Sequence, residues 1–152
     1  MKVIRGDPVK LALDGRFDVI VHGCNCQCAM GTGIAKTIKQ VVFPEAHKPD
    51  LATAKRQPRQ AGVAVRGHRR TQRPQAHHLN GYTQFHWRGS GVLVDYDAVR
   101  SVMHRLKESY SGCAIGYPKI GAGLAKGDWS TIAAILEEEL AGEDHTLVEY
   151  QP

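Results

Sequence analysis

Apolar and polar positions fall into blocks along the chain, and the period changes from block to block. "KVIR" (2–5) reads as a short strand, and "DVIVH" (18–22) as a second one, apolar enough to lie centrally in a sheet. From Thr32 the period lengthens. Ile34, Ile38 and Val41 or Val42 recur at helical spacing until "FPEA" (43–46) ends the run. "DYDAVRSVMHRLKESY" (95–110) is the clearest helix: Tyr96, Val99, Met103, Leu106 and Tyr110 form one stripe, and Asp95 is placed as its N-cap. "CAIGYP" (113–118) is a strand stopped by Pro118. Asp128 then caps a helix carrying Ile132, Ile135, Leu136 and Leu140, closed by Gly142, and "HTLVEY" (145–150) is the last strand. Strands separated by helical segments predict a layered α/β domain without internal repeats.

Length fits that picture. At 152 residues the chain is expected to form a single domain, 1–152, with a sizeable core. No run of 18 or more residues is apolar throughout, so no membrane span is expected. "MKVIRGDPVKL" lacks the apolar centre of a signal peptide, which predicts a cytoplasmic protein with reduced thiols.

Charge is uneven. The net value of +5 is carried by residues 55–79, which hold seven Lys or Arg and no acid; the remainder has 13 basic and 15 acidic residues. This segment is rich in Arg, Gln, His, Pro and Ala, and only "GVAV" (62–65) resembles a strand. It reads either as a basic loop contacting RNA or as a solvated insertion. It contains no aromatic residue for base stacking, so nucleic acid is not expected as a partner.

Candidate chemistry is densest in "HGCNCQCAMGTGIAK" (22–36). Cys24, Cys26 and Cys28 invite a metal reading, with His22 as a fourth ligand. Alternate spacing differs from the C-x2-C knuckle of structural zinc sites, and Cys113 stands alone, so no metal is expected. The glycines invite an anion reading. Gly31 and Gly33 lie after a strand and at the mouth of a helix, where free backbone N–H groups and a missing side chain admit a phosphate. The stretch lacks the third glycine of a dinucleotide fingerprint and the G-K-[ST] of a Walker loop; glycines serving only as turn punctuation remain the alternative. A second loop, "YPKIGAGLAKGDW" (117–129), repeats the strand, glycine pair and capped helix. Two such loops at strand ends can clamp a diphosphate.

These segments, with "GDP" (6–8), "FPEA" (43–46), "YTQFHWRG" (82–89) and "LVEY" (147–150), resemble the macrodomain family in the family's order over most of the chain. The resemblance implies a three-layer α/β/α fold with a central mixed sheet. It also implies an ADP-ribose site, and is greatest toward the ADP-ribose 1″-phosphate phosphatase-like branch of phages and bacteria. On the matching positions, Asp7 would receive the adenine amino group and Asn25 would stand beside the distal ribose. Gly31, Thr32, Gly33 and Ile34 would form the first phosphate loop, and Ile120, Gly121, Ala122, Gly123 and Leu124 the second. The cysteines become strand-to-loop lining.

The implied reaction is removal of phosphate from ADP-ribose 1″-phosphate. Asn25 would orient the ribose, His22 or Asp128 would handle the proton, and no cofactor or metal would be needed. De-ADP-ribosylation of protein or nucleic acid, and ADP-ribose reading without turnover, are the alternatives; an ADP-ribosylated protein is accordingly a further expected partner. Hydrolytic relatives carry a lysine and an aspartate where this chain has Gln84 and Ala125, and many macrodomains have asparagine where it has His22. Against the family pattern, "RRTQRPQAHHLNG" (69–81) offers little strand alternation. Part of 55–79 is therefore expected to be an out-of-frame or disordered stretch, with family-like sequence resuming near Tyr82.

Overall fold

A six-stranded sheet organises the protein. The computed structural model describes residues 1–27, 29–38, 64–67 (backbone only) and 76–151. In chain order the elements are β1 (Lys2–Gly6), α1 (Pro8–Leu13), β2 (Val19–Asn25), α2 (Gly33–Thr37), β3 (Ala64–Gly67) and β4 (His77–Gln84). They continue as α3 (Tyr96–Tyr110), β5 (Ile115–Tyr117), α4 (Trp129–Glu139) and β6 (His145–Tyr150). The strand order is β1-β6-β5-β2-β4-β3; every pairing is parallel except that of β3 with β4. The sheet is therefore mixed, with its antiparallel member at one edge.

Alternation along β2 builds two layers around it. Val19 and Val21 join Leu79, Ile115, Tyr117 and Leu147 under the apolar faces of α3 and α4. Ile20 faces the other way, against Ala12, Phe17, Ala76 and Val148, and Cys24 packs on that side with Cys26, Met30, Tyr82 and Ala35. The result is the expected α/β/α sandwich. Gly116 of β5 is a steric requirement of this arrangement, because a Cβ there would stand 2.6–2.7 Å from the Phe17 ring.

The strands and helices read from apolar periodicity lie where that periodicity places them. Asp95 caps α3 by accepting from Ala98 N (2.9 Å). The helix predicted from Thr32 begins at Gly33, and its continuation past Ile38 lies outside the described residues. Helix α1 escapes periodicity at six residues, although Asp7 at N-cap and Pro8 at the first helical position are its start signal.

Residues 76–81 correct the expectation that family-like sequence resumes near Tyr82. Ala76 packs in the core, and β4 pairs with β2 from His77↔Val19 onward, burying His78, Leu79, Asn80 and Gly81. Within 55–79, Ala64–Gly67 forms β3, close to the strand-like "GVAV"; 55–63 and 68–75 lie outside the described residues.

Gly116→Ala is expected to lower stability by about 1–3 kcal/mol, the usual cost of overpacking a filled core. Chemical denaturation checks this, and an unchanged midpoint would show that the Phe17 ring yields.

Candidate functional site

Strands β5, β2 and β4 are adjacent and parallel, so their C-terminal ends share one edge of the sheet. Three loops leave that edge: 26–32 after β2, 85–94 after β4 and 118–128 after β5. Asp7 follows β1 at the same edge. Open α/β sheets bind ligands in such crevices.

Asn25 ends β2 and braces the first loop. Its Oδ1 accepts from Gln27 N (3.2 Å) and Ala29 N (3.1 Å), and its Nδ2 donates to Ala29 O (2.9 Å). The expected turn role is thus built in, while the amide retains a second N–H. Thr32 occupies the N-cap of α2 without a side-chain cap bond, and Ile34 packs beside Val9 and Ile38. Gly33 needs to be glycine for its backbone, with φ at +58°. Gly31 does not: its φ lies outside the left-handed region, and no described atom comes within 4 Å of a Cβ built on it.

The second loop has the same composition of needs. Ile120 is buried, and Gly121 combines φ +73° with a clash against Val94, 2.7 Å from an added Cβ. Gly121 N also stands 3.7 Å from the Cβ position of Gly23, so this loop lies across the end of β2. Ala122 packs partly on the core, whereas Leu124 is 69% exposed. Gly123, like Gly31, has neither a left-handed φ nor a described neighbour within 4 Å of its missing Cβ. Ala125 is buried, so its side chain faces the core rather than the crevice.

The residues expected to carry protons are placed otherwise. His22 is fully buried in β2; its Nε2–H donates to Asn80 Oδ1 (3.0 Å), its ring stacks on His78 at 5.0 Å, and Cys24 Sγ lies 3.5 Å from Nε2. An imidazole held inside the sheet does not present a nitrogen to a ligand at the edge, which corrects its acid/base assignment. Burial, with His22 alongside, holds His78 well below the ordinary histidine range, so that ring is neutral. Asp128 is the N-cap of α4. Hydrogen bonds from Ser130 and Thr131 lower its pKa to about 2, leaving it an exposed, ionised and weak base. Asp7 caps α1, its Oδ1 accepting from Val9 N (2.8 Å) and Lys10 N (3.2 Å).

Two features were not anticipated. A bulge in β4 pairs Cys24 with Tyr82 but Asn25 with Gln84, leaving Thr83 as the extra residue. The Thr83 carbonyl accepts from Asp95 N (2.8 Å), tying α3 to the sheet, while its buried Oγ1 has no hydrogen-bond partner among the described residues. Beyond the bulge, residues 85–88 form an exposed aromatic and basic rim. The string "FHWR" was visible in the sequence, but its exposure depends on tertiary placement. Cys24 and Cys26 are buried free thiols, as strand-to-loop lining should be; Cys28 lies outside the described residues. Among the described residues no group of three or more His, Cys, Asp or Glu is placed to hold a metal ion, and no helix is long and apolar enough to cross a membrane.

This fold is that of the macrodomains. It superposes on the macrodomain of Mycobacterium tuberculosis DarG with a TM-score of 0.71 at 22% identity, covering 99% of this chain and 97% of that one. It superposes on Thermosipho africanus DarTG in complex with ADP-ribose with a TM-score of 0.69 at 20% identity, covering all of this chain and 42% of that one. In sequence, the chain is 31% identical over 157 aligned positions to an uncharacterized 17.5 kDa protein from the tk-vs intergenic region of Enterobacteria phage T4, spanning 100% of this chain and 97% of the relative. The chain belongs to the same family as that phage protein. No family model matches it.

The Asp128 carboxylate generates a pH prediction. Its folded pKa, about 2, lies below the ordinary value of 3.8, so its contribution to stability is fully present above about pH 4 and is lost as pH falls through about 2. Asp128→Asn retains a capping oxygen without the titration. Acid unfolding followed by circular dichroism should therefore be less steep in this window for the variant; identical acid limbs would show that the cap does not govern it.

Proposed function

We propose that the crevice binds ADP-ribose, with the diphosphate between residues 31–34 and 120–124, the adenine toward Asp7 and the distal ribose toward Asn25. The observation that carries this reading is the pair Gly31 and Gly123. Neither backbone conformation nor packing against described residues requires glycine at either position, yet each lies in a loop at the same sheet edge with open space where a side chain would stand. A ligand approaching the backbone supplies the missing reason. The ADP-ribose complex of the Thermosipho protein, which shares the fold, supports the choice of ligand.

For turnover, the proposed reaction is removal of phosphate from ADP-ribose 1″-phosphate. Water adds to phosphorus, the bond from phosphorus to the anomeric oxygen breaks, and that oxygen regains a proton. Loop amides stabilise the charge on the phosphoryl oxygens, and Asn25 holds the ribose through its second amide N–H. With His22 buried and Asp128 ionised, the rate rests on positioning. Reading without turnover is the second proposal. It is favoured by Gln84, whose Nε2 donates to His86 O (3.0 Å), and by the inward Ala125, since neither position offers a proton carrier.

Calorimetric titration tests binding. ADP-ribose should bind the parent. Gly31→Val and Gly123→Val should abolish binding while leaving the thermal midpoint nearly unchanged, whereas Gly33→Val should lower both. Asp7→Asn, which keeps a capping oxygen, should weaken binding by about 1–3 kcal/mol through its mismatch with the adenine amino group. A folded parent that does not bind ADP-ribose would overturn the assignment.

Phosphate release from ADP-ribose 1″-phosphate tests turnover. His22→Gln is expected to leave the neutral region of the pH–rate profile intact and to act mainly on stability. Loss of a limb near neutrality would return the proton to His22. Binding without phosphate release, or without ADP-ribose release from modified protein, would favour the reader.

A further inference from the structure

Residues 85–88, "FHWR", leave the sheet edge as an ordered ladder facing solvent. Phe85 and Trp87 each keep 42% of their surface exposed, and neither belongs to a core cluster. The His86 and Trp87 ring centroids lie 6.5 Å apart with their planes within 16°, Phe85 meets His86 edge-on at 6.5 Å, and the Arg88 guanidinium carbon sits 3.8 Å over the Trp87 ring. Three hydrogen bonds hold the backbone that carries these rings. Gln84 Nε2 donates to His86 O (3.0 Å), Gln27 Nε2 to Phe85 O (3.4 Å), and Arg88 N to His86 Nδ1 (3.2 Å). Holding large apolar rings in water does nothing for the core, and such patches mark interaction sites.

Charge identifies the partner. From residue 51 to residue 94 the chain contains eight Lys or Arg and no Asp or Glu; the rest holds 12 basic and 15 acidic residues. The basic stretch meets the ladder through the sheet, because Ala64 of β3 pairs with Gly81 of β4, three residues before Gln84 and the ladder's start. We propose that residues 85–88 form a stacking platform for the bases of a single-stranded nucleic acid, with Arg88 and the basic stretch matching the charge of its backbone. Every base offers a π-face to Trp87 and Phe85, and phosphates meet cations without an opposing carboxylate in the local sequence. The basic segment's lack of aromatics argued against nucleic acid; the neighbouring loop supplies them. An acidic protein would match the charge but would leave a built set of near-parallel rings unexplained. The platform lies outside both glycine loops, so it stands independently of ADP-ribose binding.

Fluorescence anisotropy of a labelled twelve-residue oligothymidylate tests this. The parent should bind it. Trp87→Ala should weaken binding by about 5- to 150-fold per stacked base, with an unchanged circular dichroism spectrum and thermal midpoint, and Trp87→Phe should restore most of the loss. Arg88→Ala should make the slope of log affinity against log salt shallower by about 0.7, the share of one single-strand phosphate contact. In the parent, saturating unlabelled oligonucleotide should quench tryptophan fluorescence, a readout that needs no variant. Absence of binding, equal affinity of Trp87→Ala, or displacement by polyglutamate as effective as by unlabelled oligonucleotide of equal charge would overturn the proposal, the last in favour of an acidic protein or simple charge attraction.

Discussion

Parallel pairing of β2 with strands on both of its sides is the constraint from which the rest follows. A strand so placed has no free edge and, with helices on both faces, no solvent face. Its side chains are sorted by parity into two layers, which brings α3 and α4 to one side and α1 and α2 to the other. Because its neighbours run in the same direction, the chain must leave three strands at the same edge. The crevice is thus a result of strand direction, and the loops specialise what the sheet has already assembled.

The same constraint explains the polar interior. His22, His78 and Asn80 are all fully buried toward one layer, where burial of a charge is costly. The His22–Asn80 hydrogen bond and the stacked rings let the histidines sit there neutral. Carboxylates, by contrast, gather at the functional edge. Asp7, Asp95 and Asp128 each follow a strand end and cap the next helix. Bound to helix N-termini, their charge is partly offset by the dipoles they cap, so an anion can approach an edge ringed with acids.

This separation decides what was legible in the sequence. Helices α3 and α4 are long enough for a stripe of apolar residues to declare them, and their Asp caps fix their starts. The glycine loops were legible because glycine is informative alone. Strand β4 was hidden because "HHLNG" is polar by composition and becomes interior only through partners on β2. Proton chemistry was illegible for a related reason: exposure and hydrogen bonding of His22 and Asp128 are tertiary facts, and residue type does not encode them. The aromatic rim was present as a string of letters whose meaning depended on which way the loop turned.

The bulge at Thr83 acts as a phase shift. Side chains along a strand alternate with period two, so one unpaired residue inverts the sidedness of everything after it. Before the bulge, odd residues of β4 match odd residues of β2; after it, even Gln84 stands level with odd Asn25. The core therefore reads one parity and the crevice the other. Substitutions selected for binding beyond residue 83 are thereby uncoupled from those that keep β4 packed. A family built on this strand can vary its rim while conserving the interior, with a single residue as the boundary between the two regimes.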